Sequence, residues 1–230
     1  MNLESKNYHG CPLWLSALET YFGGDADYQS KVVALQRFFG YCLLPTADAK
    51  RALVLYGEPS TGKSVVERIL GEVVGRENQC SISVSELADP RRRASLLGRR
   101  VNMMRGFDGA PHKAFADLIR GLPLLIDPKY VSPFRHAPAC KHVITASRLP
   151  ARRVKDPASS MKRWECGLQP YDHLFLVIEF KHVIPRSAQD YGLAERILAE
   201  LPSILLWALD GARDLILFGG VFPSLNRLAD

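Results

Sequence analysis

The stretch Gly57-Glu58-Pro59-Ser60-Thr61-Gly62-Lys63-Ser64 decides how this chain is read. A phosphate chain concentrates negative charge, so a site for it needs several backbone N–H groups turned inward and a helix N-terminus behind them. Gly57 and Gly62 permit such a loop, Lys63 can reach the β and γ phosphates as a point charge, and the Ser64 hydroxyl suits the coordination of Mg²⁺. The pattern is meaningful only between a strand and a helix. Here residues 51–56 end in the apolar run Ala-Leu-Val-Leu-Tyr, while residues 63–74 have helical spacing and stop at Gly75. Residues 57–64, with Val65 at the start of the helix, are therefore expected to cradle a nucleoside triphosphate, ATP with Mg²⁺ as cofactors.

Working outward, residues 12–22 and 32–44 carry apolar side chains at helical spacing, separated by the turn-like Gly23-Gly24-Asp25-Ala26-Asp27. Downstream, residues 101–104, 122–126, 142–146 and 174–180 read as buried strands, with helices at 111–120 and around 191–217. Alternation of strand and helix predicts an α/β fold, a mostly parallel central sheet flanked by helices. The continuous rather than alternating hydrophobicity of 174–178 marks a central strand. Residues 1–46 are expected to form a helical prelude that serves oligomerisation, and 47–225 the phosphate-loop domain with its C-terminal helices.

The 230 residues suffice for one sizeable core, and 47% hydrophobic with 23% charged residues excludes wholesale disorder and fibrous repeats. Thirty Lys plus Arg against 24 Asp plus Glu leave a net charge of +6, compatible with an anionic partner such as nucleic acid. Solvated helix faces and loops would account for the same charge. Five cysteines without a CxxC pair argue against a disulfide framework or a structural zinc site, and for a reducing compartment. No apolar stretch approaches the roughly 18 residues needed to span a bilayer, so no membrane partner is expected and the cytoplasm, of a bacterial host, is the expected location. The six histidines lack metal-ligand spacing.

Order and spacing of several segments resemble the superfamily 3 helicase domain of phage and plasmid primase-helicases, in the phage-satellite and poxvirus-like branch of the AAA+ ATPases. Residues 35–44, Leu-Gln-Arg-Phe-Phe-Gly-Tyr-Cys-Leu-Leu, followed by Ala-Leu-Val-Leu-Tyr-Gly-Glu at 52–58, look like the family's helix and phosphate-loop strand. Residues 95–102, Ser-Leu-Leu-Gly-Arg-Arg-Val-Asn, resemble the approach to its second acidic motif, and 126–150 its DNA-facing region running into the sensor strand. Residues 201–211 resemble the helix after the ATPase core, so the likeness covers roughly residues 12–225. It implies an AAA+-like fold, a homo-oligomeric ring such as a hexamer, ATP hydrolysis, single-stranded DNA as partner, and a primase or other replication protein alongside.

Carried over by position, Lys63 and Ser64 take the phosphate and magnesium roles, Ser147 the sensor position, and Arg163 that of the finger offered to a neighbouring subunit's phosphates. Lys129 falls in the nucleic-acid-facing region, with Arg135 and Lys141 as further basic candidates; for each taken singly, a solvated surface charge is the alternative reading. Three departures stand out. The acid of the second motif would align at Gly106, the family's acidic turn reads Gly121-Leu122-Pro123, and the sensor Asn position holds Ser147. Asp108 is the first acid after the strand, and it serves either as a substitute metal ligand and catalytic carboxylate or as a plain turn residue. Without a substitute, turnover is expected to be slow or absent, leaving a module that binds ATP in order to assemble with or load another replication protein.

Overall fold

Four of the five side chains in Ala-Leu-Val-Leu-Tyr are fully buried, the burial expected of a parallel strand covered on both faces. The computed structural model describes residues 10–155 and 162–225 and, within 151–166, the backbone alone. In chain order the elements are α1 (Pro12–Phe22), α2 (Tyr28–Leu43), β1 (Ala52–Tyr56), α3 (Lys63–Val74), β2 (Gln79–Cys80), α4 (Pro90–Arg93), β3 (Val101–Arg105), α5 (Lys113–Ile119), β4 (Leu124–Ile126), β5 (Phe134–His136), β6 (Lys141–Ala146), β7 (Ala151–Lys155), β8 (Lys162–Cys166), β9 (Phe175–Glu179), α6 (Leu193–Leu198) and α7 (Leu201–Leu217).

Five strands form a parallel sheet in the order β2-β3-β6-β1-β9. The strand leading into the phosphate loop is thus flanked by β6 and β9, with Tyr56 level with Ala146 on one side and Glu179 on the other. All five strands point the same way, so the segments leaving their C-terminal ends gather around the loop, where α/β sheets usually bind ligands. This is the α/β, P-loop-like architecture the alternation of elements predicts.

One face of the sheet is closed by α1, α2, α3 and α7, whose core includes Trp14, Leu18, Phe39, Leu70 and Trp207. Trp14, Phe39 and Trp207 come from three different helices with ring centroids 5.5 to 5.6 Å apart. Helices α2 and α7 approach closely because Gly40 and Gly211 face the opposite backbone; a Cβ at Gly211 would lie 2.0 Å from the Gln36 carbonyl oxygen. The Gln36 amide donates to the Trp207 carbonyl at 3.0 Å across the same seam. Glu200 caps the start of α1 from the far end of the chain, accepting from Leu13 N and Trp14 N at 3.0 Å each. The prelude helices therefore share a core with the sheet. The opposite face is covered by α5 and by residues such as Leu87, Leu96 and Leu168.

Residues 122–126 depart from expectation. Only 124–126 are extended, and they pair antiparallel with β5 in a separate hairpin outside the main sheet. Gly121, at φ 69°, and Pro123 break the run before it is long enough to enter the sheet, and Leu122 and Leu125 are exposed. A second hairpin, β7 with β8, follows β6. No helix among the described residues is long and apolar enough to cross a membrane.

Candidate nucleotide site

The loop begins where β1 ends. At Gly57 (φ 147°) the Phe180 carbonyl oxygen would be 2.3 Å from any Cβ, so the close passage of the 180 segment demands glycine. Ser60 also lies in the left-handed region (φ 63°), and Gly62 (φ 96°) turns the chain directly into α3. The first N–H groups of α3 are thereby aimed back into the loop, at the positive end of a 12-residue helix.

Lys63 is largely buried and folded onto its own loop: Nζ donates to the carbonyls of Gly57 at 2.6 Å and Glu58 at 2.5 Å and to Thr61 Oγ1 at 3.0 Å. Burial lowers its pKa, opposed by the nearby Glu58 carboxylate. Thr61 Oγ1 in turn donates to the Glu58 carbonyl at 2.9 Å, closing the loop on itself.

The loop forms one wall of a cavity of about 670 Å³. Pro59 to Val65 line it together with Thr145, Ala146 and Ser147 from the end of β6, and Leu13, Ser16, Ala17, Thr20 and Tyr21 from α1. The segment from Ile184 to Ala194 supplies the remaining wall, fastened to the loop by a hydrogen bond from Ile184 N to Ser60 O at 2.9 Å. Two residues lining this cavity, Tyr21 and Thr145, carry hydroxyls that are buried and have no hydrogen-bond partner. The volume, the inward helix N-terminus, Lys63 and the two orphan hydroxyls together suit a polyanionic ligand with several oxygen acceptors.

The structure brings together Lys63, Ser64, Val65 and Ser147, which sits directly after the strand neighbouring β1. It does not bring Asp108 to them. Asp108 accepts from Ser85 N at 3.0 Å and from the Ser85 hydroxyl, in the segment that follows β2 in the chain. Burial raises its pKa, but hydrogen bonds from Ser83 and Ser85 outweigh that and hold the carboxyl below its ordinary value. Asp108, expected as a metal ligand and catalytic carboxylate, thus lies outside the residues that line the cavity. At the end of β3, where an acid would serve the metal, stand Arg105 and Gly106, and Arg105 Nε lies 3.8 Å from Glu67 on α3. A second cavity of about 450 Å³ beside α3 is lined by Ser64, Glu67, Met103 and Arg105 among others.

Of the basic candidates, Lys129 and Arg135 belong to the β4–β5 hairpin. Lys129 Nζ sits 5.2 Å from the Tyr130 ring centroid, Tyr130 is 93% exposed, and Arg135 Nη2 donates to the Pro123 carbonyl at 2.9 Å. The hairpin is held to the body by Arg93, which donates to the carbonyls of Leu87, Ala88 and Leu125. Lys141, expected as a nucleic-acid contact, is a correction: it is 2% exposed, and Nζ donates to Leu44 O at 2.5 Å beside the Tyr41 ring. It opens β6 at the end of the sheet opposite the phosphate loop. Arg163 pairs through its backbone with Val154 in the β7–β8 hairpin, and its side chain lies outside the described residues.

The walls from α1 and from 184–194 are the part that sequence reading missed. Ser16 and Thr20, one helical turn apart in a mostly apolar helix, are the faint signal that was present.

An α/β fold with a parallel five-stranded sheet and a glycine-rich loop opening onto a ligand-sized cavity defines a P-loop-like protein. Among solved structures the chain is similar to the apo form of the C-terminal region of NrS-1, with a TM-score of 0.61 at 16% identity over 86% of this chain and 44% of that one. Two further apo structures of that region give TM-scores of 0.60 and 0.61 at 15% and 14% identity, covering 46% and 51% of their length. The likeness is one of fold, and the chain spans about half of those it matches. No protein-family model and no curated protein matches the sequence.

Proposed function

We propose that the chain binds ATP with Mg²⁺ at residues 57–65 and acts as a nucleic-acid-associated, ring-forming ATPase of the superfamily 3 helicase type, in DNA replication of a phage, plasmid or other mobile element. The observation that carries the reading is the eight-residue loop set between a central buried strand and a helix N-terminus, at the mouth of a 670 Å³ cavity. In this reading the amides of the loop and of the start of α3 hold the β and γ phosphates, and Lys63 leaves the Gly57 and Glu58 carbonyls to pair with them. Ser64 supplies a hydroxyl to Mg²⁺, which when bound neutralises charge on the phosphates. Ser147 faces the same space and orients a water or the terminal phosphate. Arg163 reaches the site of a neighbouring subunit, and the exposed hairpin bearing Lys129 and Arg135 tracks single-stranded DNA phosphates.

Arg105 and Gly106 at the end of β3 favour a second reading, in which the chain binds ATP as an assembly ligand, with little turnover, and joins or loads a replication protein such as a primase. Phosphoryl transfer depends on positioning and charge stabilisation, so a missing metal carboxylate falls on turnover far more than on binding. Calorimetric titration with MgATP, followed by steady-state hydrolysis with and without single-stranded DNA, separates the two. DNA-stimulated turnover lost in Lys63→Ala supports the motor, and tight binding without turnover supports the assembly module. Asp108→Ala is expected to leave ATP binding unchanged. Absence of ATP binding by the native chain would remove both readings.

A further inference from the structure

Tyr21 approaches the phosphate loop from a helix that precedes it by some forty residues. Its ring lies flat enough against Gly62 that a Cβ there would stand 2.4 Å from Cε1 and 2.5 Å from Cζ. Two aromatic rings pack near it, those of Phe22 and Phe180, with centroids 6.3 and 6.0 Å away. Neither offers an acceptor, and the hydroxyl is sealed from solvent without a partner although the residue lines the cavity. A buried hydroxyl left unpaired is unfavourable, and a phenylalanine would pack the same space without that penalty. The tyrosine therefore calls for an acceptor that arrives with a ligand.

We propose that Tyr21 is a nucleotide-binding residue, whose hydroxyl donates a hydrogen bond to a phosphate oxygen of the triphosphate held at residues 57–65, linking α1 to occupancy of the site. This rests on the nucleotide reading of the loop. The phenol keeps its proton at neutral pH, because burial pushes its pKa up to about 12, so it meets an anionic oxygen as a donor. Thr145, on β6, is the other residue of the cavity whose buried hydroxyl has no partner. The other buried nitrogen atoms without a partner, those of Trp14, Arg37, His142 and Trp207, belong to residues that line no part of the cavity. Through Trp14, α1 packs on α7, so a bond made at Tyr21 bears on the interlocked helices as well as on the ligand.

The test uses the full chain and Tyr21→Phe, which keeps the ring on Gly62 and deletes only the hydroxyl. Binding of MgATP is measured by calorimetry, and thermal unfolding is recorded with and without MgATP. The dissociation constant is expected to rise about tenfold, as for a lost hydrogen bond to a charged group. Unfolding of the ligand-free protein should stay unchanged or move to higher temperature, since an unsatisfied group has been removed, while the stabilisation given by MgATP shrinks. Native-like affinity in Tyr21→Phe overturns the assignment of Tyr21 and leaves the nucleotide site standing. A lower unfolding temperature of the ligand-free variant also overturns it, by making the hydroxyl structural. If the native chain binds no MgATP, the loop reading itself fails and Tyr21 falls with it.

Discussion

Gly211→Ala and Gly40→Ala set two well-measured effects against each other. Both glycines lie inside helices, where alanine is favoured by roughly 0.8–1.0 kcal/mol. Propensity alone therefore predicts stabilisation. The seam between α2 and α7 predicts the reverse. A Cβ at Gly211 would lie 2.0 Å from Gln36 O and 2.9 Å from Arg37 N, and one at Gly40 would lie 2.1 Å from Ala212 N and 2.4 Å from Ala208 O. Non-bonded heavy atoms settle at about 3.5–4.0 Å, and these neighbours are backbone, with no rotamer to yield. The helices must part, stretching the Gln36 to Trp207 hydrogen bond and loosening the Trp14, Phe39 and Trp207 cluster. Overpacking costs about 1–3 kcal/mol, and backbone contacts this short belong at the upper end. Subtracting the propensity gain leaves each variant destabilised by about 2 kcal/mol, a fall in Tm of about 4–8 °C for a domain of this size. Thermal and urea unfolding followed by circular dichroism measure this directly. An unchanged or raised Tm in both variants would refute the packing of α2 on α7 described above.

Lys141→Met is expected to destabilise the fold by about 1–3 kcal/mol by leaving Leu44 O without its donor, while DNA binding keeps its salt dependence. Lys129→Ala and Arg135→Ala should do the opposite in a fluorescence anisotropy assay, leaving Tm unchanged and each lowering the salt slope for single-stranded DNA by about 0.7. His142 lies fully buried against Phe115, and burial lowers its pKa from 6.5 to about 3. Below pH 6.5 the unfolded chain takes up a proton that the folded chain refuses. The contribution of this group to stability thus falls by up to about 1.4 kcal/mol per pH unit until about pH 3 and is flat below. Urea midpoints of the native chain and His142→Gln between pH 7 and 4 should diverge in slope, and parallel curves would contradict the burial.

The legible parts of this protein are those written in local pattern. Gly57, Gly62, Lys63 and Ser64 announce a phosphate loop because backbone curvature, charge and hydroxyl are all needed within eight residues, and helical spacing of apolar residues identified α1, α2, α3 and α7 for the same local reason. Residues 122–126 misled because a short apolar run has the same composition whether it enters the sheet or forms a hairpin. The settings of Lys141 and Asp108 were not legible because a side chain's type does not say which way it is turned. One is drawn inward by the Leu44 carbonyl, 97 positions away, and the other is held by Ser85, 23 positions away. Only the tertiary structure decided that β6 would lie beside β1, that Tyr21 would come to rest on Gly62, and that the segment around Ile184 would close the cavity. Sequence by itself determined where the glycine-rich loop stands between β1 and α3, since the residues that shape it lie within eight consecutive positions. What lines the cavity comes from residues more than a hundred positions apart, and their meeting depends on how the whole chain packs.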